Sequence, residues 1–218
     1  MSDKRSFAVI GLGTFGSAVA RTLRGYGDHV LGIDLDEGLV AREGDTLSRA
    51  VIADARERRA MEEAGLGSYD VAVVAMATDI EANLMAVMNA QSLGVPTVWA
   101  KAESETHSAI LERVGVQRIL RPETSFGELL AQALHNPRVR GSVRLTGDLH
   151  AAQIEAPDGL CGKPLGKLRL AERFDLRCVG VVRGAVMLPA DPGEVVCEGD
   201  GLLVVGTRPA MRAFSDRG

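Results

Sequence analysis

Over roughly its first two thirds the chain alternates short apolar runs with longer stretches whose apolar residues recur at helical spacing. Phe7–Ile10, His29–Asp34, Ser48–Ala53, Tyr69–Met76, Thr97–Lys101 and Arg118–Leu120 read as strands. The run from Val71 to Met76 has no polar position, the pattern of a strand covered on both faces. Helices are expected after Gly16, from Asp36 to Glu43, from an Asp54 cap to Ala64, from Thr78-Asp79 to Leu93 ahead of Gly94 and Pro96, from Glu105 to Val114, and from Thr124 to His135. Such alternation implies right-handed crossovers and a parallel, doubly wound sheet. Asn136-Pro137 breaks the last helix, and the pattern then changes. From Ser142 the chain is strand-rich: a strand at His150–Ala156, a short helix at Pro164–Phe174, a hairpin of Cys178–Val182 and Ala185–Leu188 across Arg183-Gly184, a strand at Leu202–Gly206, and a helix from Pro209. The expected organisation is an α/β domain over residues 1–136 and a small α+β module over 137–218.

The first strand runs directly into Gly11-Leu12-Gly13-Thr14-Phe15-Gly16, a G-x-G-x-x-G turn that opens a helix. In a dinucleotide-binding, Rossmann-like unit each glycine has its own task. Gly11 permits the tight turn, Gly13 lets backbone approach a pyrophosphate, and Gly16 lets the helix pack on the sheet. Phosphates sit at the helix N-terminus, where unpaired N–H groups and the dipole favour negative charge. Asp34 closes the second strand, where a carboxylate accepts hydrogen bonds from ribose hydroxyls and repels a 2′-phosphate. Strand, glycine spacing and acid together point to NAD or another adenine nucleotide with an unphosphorylated ribose.

Composition narrows the rest. With 46% hydrophobic and 25% charged residues among 218, the chain reads as a soluble globular protein. No apolar run approaches bilayer length, and Met1-Ser2-Asp3-Lys4-Arg5 leads into too few apolar residues for a leader, so a cytoplasmic location is expected. A net charge of −4, with one Trp, two Tyr and five Phe, argues against nucleic acid as a partner. Cys161, Cys178 and Cys197 form no metal-binding pattern and read as small core residues in a reducing compartment.

Several stretches together resemble one family: Phe7 to Gly16, Leu31 to Asp36, Val98-Trp99-Ala100-Lys101-Ala102, Gly115 to Glu123 with its Arg121-Pro122-Glu123 corner, and Glu198 to Gly206. They look like the RCK (regulator of conductance of K⁺) proteins, built of TrkA-N and TrkA-C domains, the cytosolic regulatory subunits of Ktr and Trk potassium uptake systems. The resemblance implies ATP or ADP as ligand in Ktr-like members, NAD or NADH in Trk-like ones. By position it assigns Gly11, Gly13, Thr14, Phe15 and Gly16 to the phosphates and Asp34, Leu35 and Asp36 to the ribose side. The strand ends would supply Asp54, Ala55, Ala75, Met76, Ala77, Lys101, Ala102 and Glu103. Asp54 suits either the adenine amino group or a helix cap. His107 and Glu123 match positions that contact phosphate or a cation (Mg²⁺, Na⁺ or Ca²⁺), Glu123 being the metal candidate.

Two positions depart from the family pattern. Thr14 stands where Ktr-like subunits often carry an arginine that reaches a γ-phosphate. Ala171 replaces an arginine of c-di-AMP-binding relatives, while Pro189 matches. The resemblance further implies a homo-oligomer of dimers, an octameric ring, docked on a membrane potassium-transporting subunit and so peripheral to the inner face of the membrane. The competing class is an NAD-dependent oxidoreductase. Against it, residues 137–218 hold one histidine, His150, with no proton-relay cluster, and no Ser-x-x-x-Tyr-x-x-x-Lys pattern occurs, so no enzyme is expected. A free-standing nucleotide or c-di-AMP sensor is the other alternative.

Overall fold

The computed structural model describes residues 5–216. The chain divides into two compact units, Met1–Pro122 and Glu123–Gly218. This division falls ahead of the helix that precedes Asn136, where the sequence pattern changes.

The first unit runs β1 (Ser6–Ile10), α1 (Thr14–Gly25), β2 (His29–Asp34), α2 (Glu37–Glu43), β3 (Arg49–Ile52), α3 (Arg58–Glu63), β4 (Val71–Val74), α4 (Ile80–Ser92), β5 (Thr97–Lys101), α5 (Glu105–Arg113) and β6 (Arg118–Leu120). All strands pair in parallel in the order β3-β2-β1-β4-β5-β6. Successive side chains of a strand point to opposite faces, and here both faces are apolar. Ile10, Leu31, Ile33 and Val74 pack with Met61, Val87 and Leu111 on one side. Val9, Val30 and Val73 pack with Leu12, Ala20 and Leu47 on the other. The strand order reverses between β1 and β4, and such a switch point opens a crevice at the carboxyl ends of the two strands.

The second unit carries α6 (Pro122–His135, its first residue at the boundary), β7 (Val139–Thr146), β8 (Leu149–Glu155), α7 (Leu165–Leu168), α8 (Leu170–Phe174), β9 (Arg177–Arg183), β10 (Val186–Pro189), β11 (Gly201–Thr207) and α9 (Arg208–Ser215). Its sheet is antiparallel, ordered β10-β9-β11-β8-β7. Ile154, Leu176, Val181, Leu202 and Val204 form a core with Met211 and Phe214 of α9.

Three expectations are corrected, and one strand is added. Asp54 does not cap α3: its carboxylate accepts the Arg56 amide and guanidinium in a tight turn, and the helix starts later, behind Glu57. The helix expected over Pro164–Phe174 breaks at Arg169, whose φ is +50°. The break lets Leu168 and Leu170 both enter the core, whereas residues two apart on a continuous helix face away from each other. β7 lacks a signal in the hydrophobic pattern because it is an edge strand with mostly exposed residues. The cysteines are not all core residues: Cys178 packs against the core, but Cys161 is only half-buried and Cys197 lies exposed, each in a turn. Among the described residues no helix is long and apolar enough to cross a membrane.

Candidate functional site

The three glycines of the first turn differ sharply in their surroundings. Gly11 has φ +98°, and a Cβ there would lie 3.0 Å from the Met76 amide nitrogen. A Cβ on Gly16 would stand 1.8 Å from the Gly11 carbonyl oxygen and 3.1 Å from the Ala75 Cβ, so only glycine lets α1 seat on β1 and β4. Gly13 is the opposite case: it is the N-cap of α1 with φ −62° and ψ −172°, and a Cβ there would meet nothing within 4 Å. The fold itself therefore has no need of glycine at position 13. Open space before a helix N-terminus that a side chain would fill is what a phosphate cradle requires.

Asp34 is built into the same turn. Its Oδ2 accepts the Leu12 amide at 2.5 Å and its Oδ1 accepts the Asp36 amide at 2.9 Å. The carboxylate is thus fixed between the glycine turn and the start of α2, with lone pairs to spare for ribose hydroxyls. Asp36 caps α2 by accepting the Leu39 amide, while Leu35 is exposed. Arg42 of α2 braces the turn from behind, donating to the Leu12 carbonyl and the Ser17 hydroxyl, both at 3.3 Å. It shares the buried Glu43 with Arg21, whose two-pronged hydrogen bonds hold that carboxyl below its usual pKa.

Across the crevice, Ala75 donates its amide to the Ile10 carbonyl, and Met76 and buried Ala77 follow beyond the end of β4. Asn83 of α4, fully buried, ties three elements together. Its Nδ2 donates to the Met76 carbonyl and, at 3.1 Å, to the Lys101 carbonyl, and its Oδ1 faces His107 Nε2 at 3.3 Å. His107 Nδ1 accepts the Glu103 amide at 3.4 Å, which leaves the ring proton on Nε2 for Asn83. His107 is 1% exposed, and burial lowers its pKa against a smaller opposing effect of Glu103. Both nitrogens have neighbours within the protein, so His107 links the loop after β5 to α4. A second buried amide, Asn89, donates to the carbonyls of Ala55 and Arg56 and holds the turn after β3. Asp54 there is ion-paired with Arg56 at 2.7 Å, which lowers its pKa.

Lys101, at the end of β5, brings its ammonium 5.9 Å from the centre of the Phe15 ring on the first turn of α1. Thr14 starts α1 beside it. Buried Ala102 donates its amide to the Leu120 carbonyl, and Glu103 is exposed. Glu123 lies on the first turn of α6, in the second unit. No group of three or more His, Cys, Asp or Glu side chains among the described residues converges to hold a metal ion.

The sequence reading missed Asn83 and Asn89. Asn83 falls on the buried stripe of α4 with Ala86, Val87 and Ala90, so a polar residue at core spacing was the available signal.

Comparison with known proteins agrees with this geometry. Residues 7–122 match the TrkA-N domain and residues 149–217 the TrkA-C domain. The Ktr system potassium uptake protein A of Vibrio alginolyticus is 31% identical over 208 residues, covering 95% of this chain and 94% of that protein. The protein of the same description from Bacillus subtilis (strain 168) is 27% identical, with 98% and 97% covered. A structure described as the GsuK channel bound to NAD superposes on 98% of this chain with a TM-score of 0.65 at 15% identity. The chain spans only 39% of that larger protein, and the likeness is one of fold. On these matches, which run through both units, the chain belongs to the TrkA-N/TrkA-C family of RCK proteins, alongside the Ktr potassium uptake proteins.

Proposed function

We propose that this chain is the nucleotide-binding regulatory subunit of a Ktr/Trk-type potassium uptake system. The observation that carries the reading is the pairing of an open Gly13 with an Asp34 carboxylate already fixed to the same turn. An adenine nucleotide, ATP or ADP, or NAD or NADH, places its phosphates over Gly13 at the start of α1 and its ribose hydroxyls on Asp34. Lys101 supplies positive charge near the phosphates, and the strand-end residues 54–55 and 75–77 flank the base. Glu123 is the residue to test for a cation beside the phosphates. In the second unit, a cleft of about 400 Å³ lined by Arg169, Ala171, Arg177 and Pro192 is where c-di-AMP binding would be tested.

In this reading the chain performs no catalysis. It forms a homo-oligomer of dimers, an octameric ring, on the cytoplasmic side of a potassium-transporting membrane protein. A ligand moves such an assembly only by binding its two shapes with different affinity. Two measurements test the proposal. Thermal shift and calorimetry with ATP, ADP, AMP, NAD, NADH and c-di-AMP should show saturable binding of at least one adenine nucleotide. Deleting the gene should impair growth at limiting potassium. Absence of nucleotide binding, or normal potassium uptake in the deletion strain, overturns it.

A further inference from the structure

The second unit contains a polar cavity that the nucleotide site does not use. β7 and β8 place Arg144 opposite His150 and Ser142 opposite Ala152, so Ser142, Arg144 and His150 share one face of the sheet. Ser125, Glu128 and Leu129 of α6 and Arg208 at the start of α9 complete a cavity of about 320 Å³. His150 is 4% exposed, yet its Nδ1 has no hydrogen-bond partner. Buried polar atoms are nearly always paired, so an orphan lining a cavity marks a place for a ligand. Among the described residues neither Arg144 nor Arg208 has an acidic partner within ion-pairing distance. Their two charges exceed the single carboxylate of the lining, Glu128.

We propose that this cavity binds a phosphate group, held between the guanidiniums of Arg144 and Arg208 with His150 Nδ1 hydrogen-bonded to a phosphate oxygen. Guanidinium forks match oxyanion geometry, and the second phosphate ionisation lies close to that of imidazole, so the pair can share one proton. Burial first, then the two arginines, lower the pKa of His150, with Asp148 opposing them. A phosphate dianion between the arginines reverses that balance and raises the pKa of His150, while Glu128, itself negative, opposes phosphate binding by repulsion. The group can come from inorganic phosphate or from a phosphate monoester.

The test uses the full-length protein with ¹⁵N-labelled histidine, whose four imidazoles include His150. Inorganic phosphate and ribose 5-phosphate are titrated separately while the His150 ring signals are followed. Saturable movement toward the protonated form is expected, weakened about tenfold or more by Arg144→Gln and by Arg208→Gln. Tighter binding of ribose 5-phosphate assigns the site to monoesters, and tighter binding of inorganic phosphate assigns it to the free ion. No movement up to about 10 mM phosphate, an equal response to chloride, or unchanged affinity in both arginine variants overturns the proposal.

Discussion

Replacing Gly13 and Gly16 separately by alanine should pull ligand binding and folding apart. At Gly13 the backbone lies in a region open to any L-residue, and the new methyl meets no atom within 4 Å. Losing glycine's freedom in the unfolded chain stabilises by about 0.4–1 kcal/mol, and alanine is a poorer N-cap by a similar amount. Gly13→Ala should therefore leave stability within about 1 kcal/mol of wild type. The same methyl enters the space meant for phosphate and should weaken nucleotide binding at least tenfold, about 1.4 kcal/mol. At Gly16 the methyl would sit 1.8 Å from the Gly11 carbonyl oxygen, which is backbone and cannot swing away. Moving α1 outward by more than 1 Å is overpacking of the costlier kind, about 3 kcal/mol or more, or roughly 6–12 °C in Tm. Trp99, the single tryptophan, stands on β5 of the first unit and reports its unfolding. Urea titrations followed by its fluorescence, with calorimetry of nucleotide binding, read both quantities. Full affinity in a stable Gly13→Ala protein would refute the cradle, and a Gly16→Ala penalty below about 1 kcal/mol would refute the packing argument.

Other expectations follow from the same geometry. Asn83→Ala removes the buried donor to the Met76 and Lys101 carbonyls and the partner of His107 Nε2 and should cost about 3 kcal/mol; a loss under about 1 kcal/mol in denaturant would show that the tie is unimportant. Asp34→Ala removes both the Leu12 tether and the ribose acceptor and should weaken nucleotide binding at least tenfold, about 1.4 kcal/mol, in calorimetry. Thr14 offers no cation, so ATP should bind less than about a hundredfold tighter than ADP, with Thr14→Arg widening the gap; a larger wild-type preference contradicts this. Burial depresses the pKa of His107 in the folded state, so the unfolded chain binds the proton more readily. Stability should be fully present above the ordinary histidine value of 6.5 and fall as pH drops below it, a decline that His107→Gln should flatten in urea titrations at pH 7 and 5.5.

The first unit was legible because its signals are local and repeated. Glycine spacing, apolar strands and capping aspartates are read from neighbouring residues, and Asp36 and Asp79 do cap α2 and α4 although Asp54 does not cap α3. What escaped was long-range. Asn83 reaches across to Met76 and Lys101, and nothing beside it in sequence announces those partners. His107 is buried against Asn83, a contact that its place near a helix start does not announce. In the second unit, β7 sits at a sheet edge with few buried side chains, so hydrophobic alternation had little to record.

The double engagement of Asp34 bears on how such a domain can diversify. The carboxylate that would reject a 2′-phosphate also fastens the amide of Leu12. A lineage cannot exchange this side chain for one that welcomes a phosphorylated ribose without unfastening the glycine turn in the same step. With Asp34 as the proposed ribose acceptor, ligand preference would be entrenched by folding, and escape would need an earlier substitution that secures the turn by other means. Successive mutations at this position are thus ordered in time, with structural compensation first and altered recognition second.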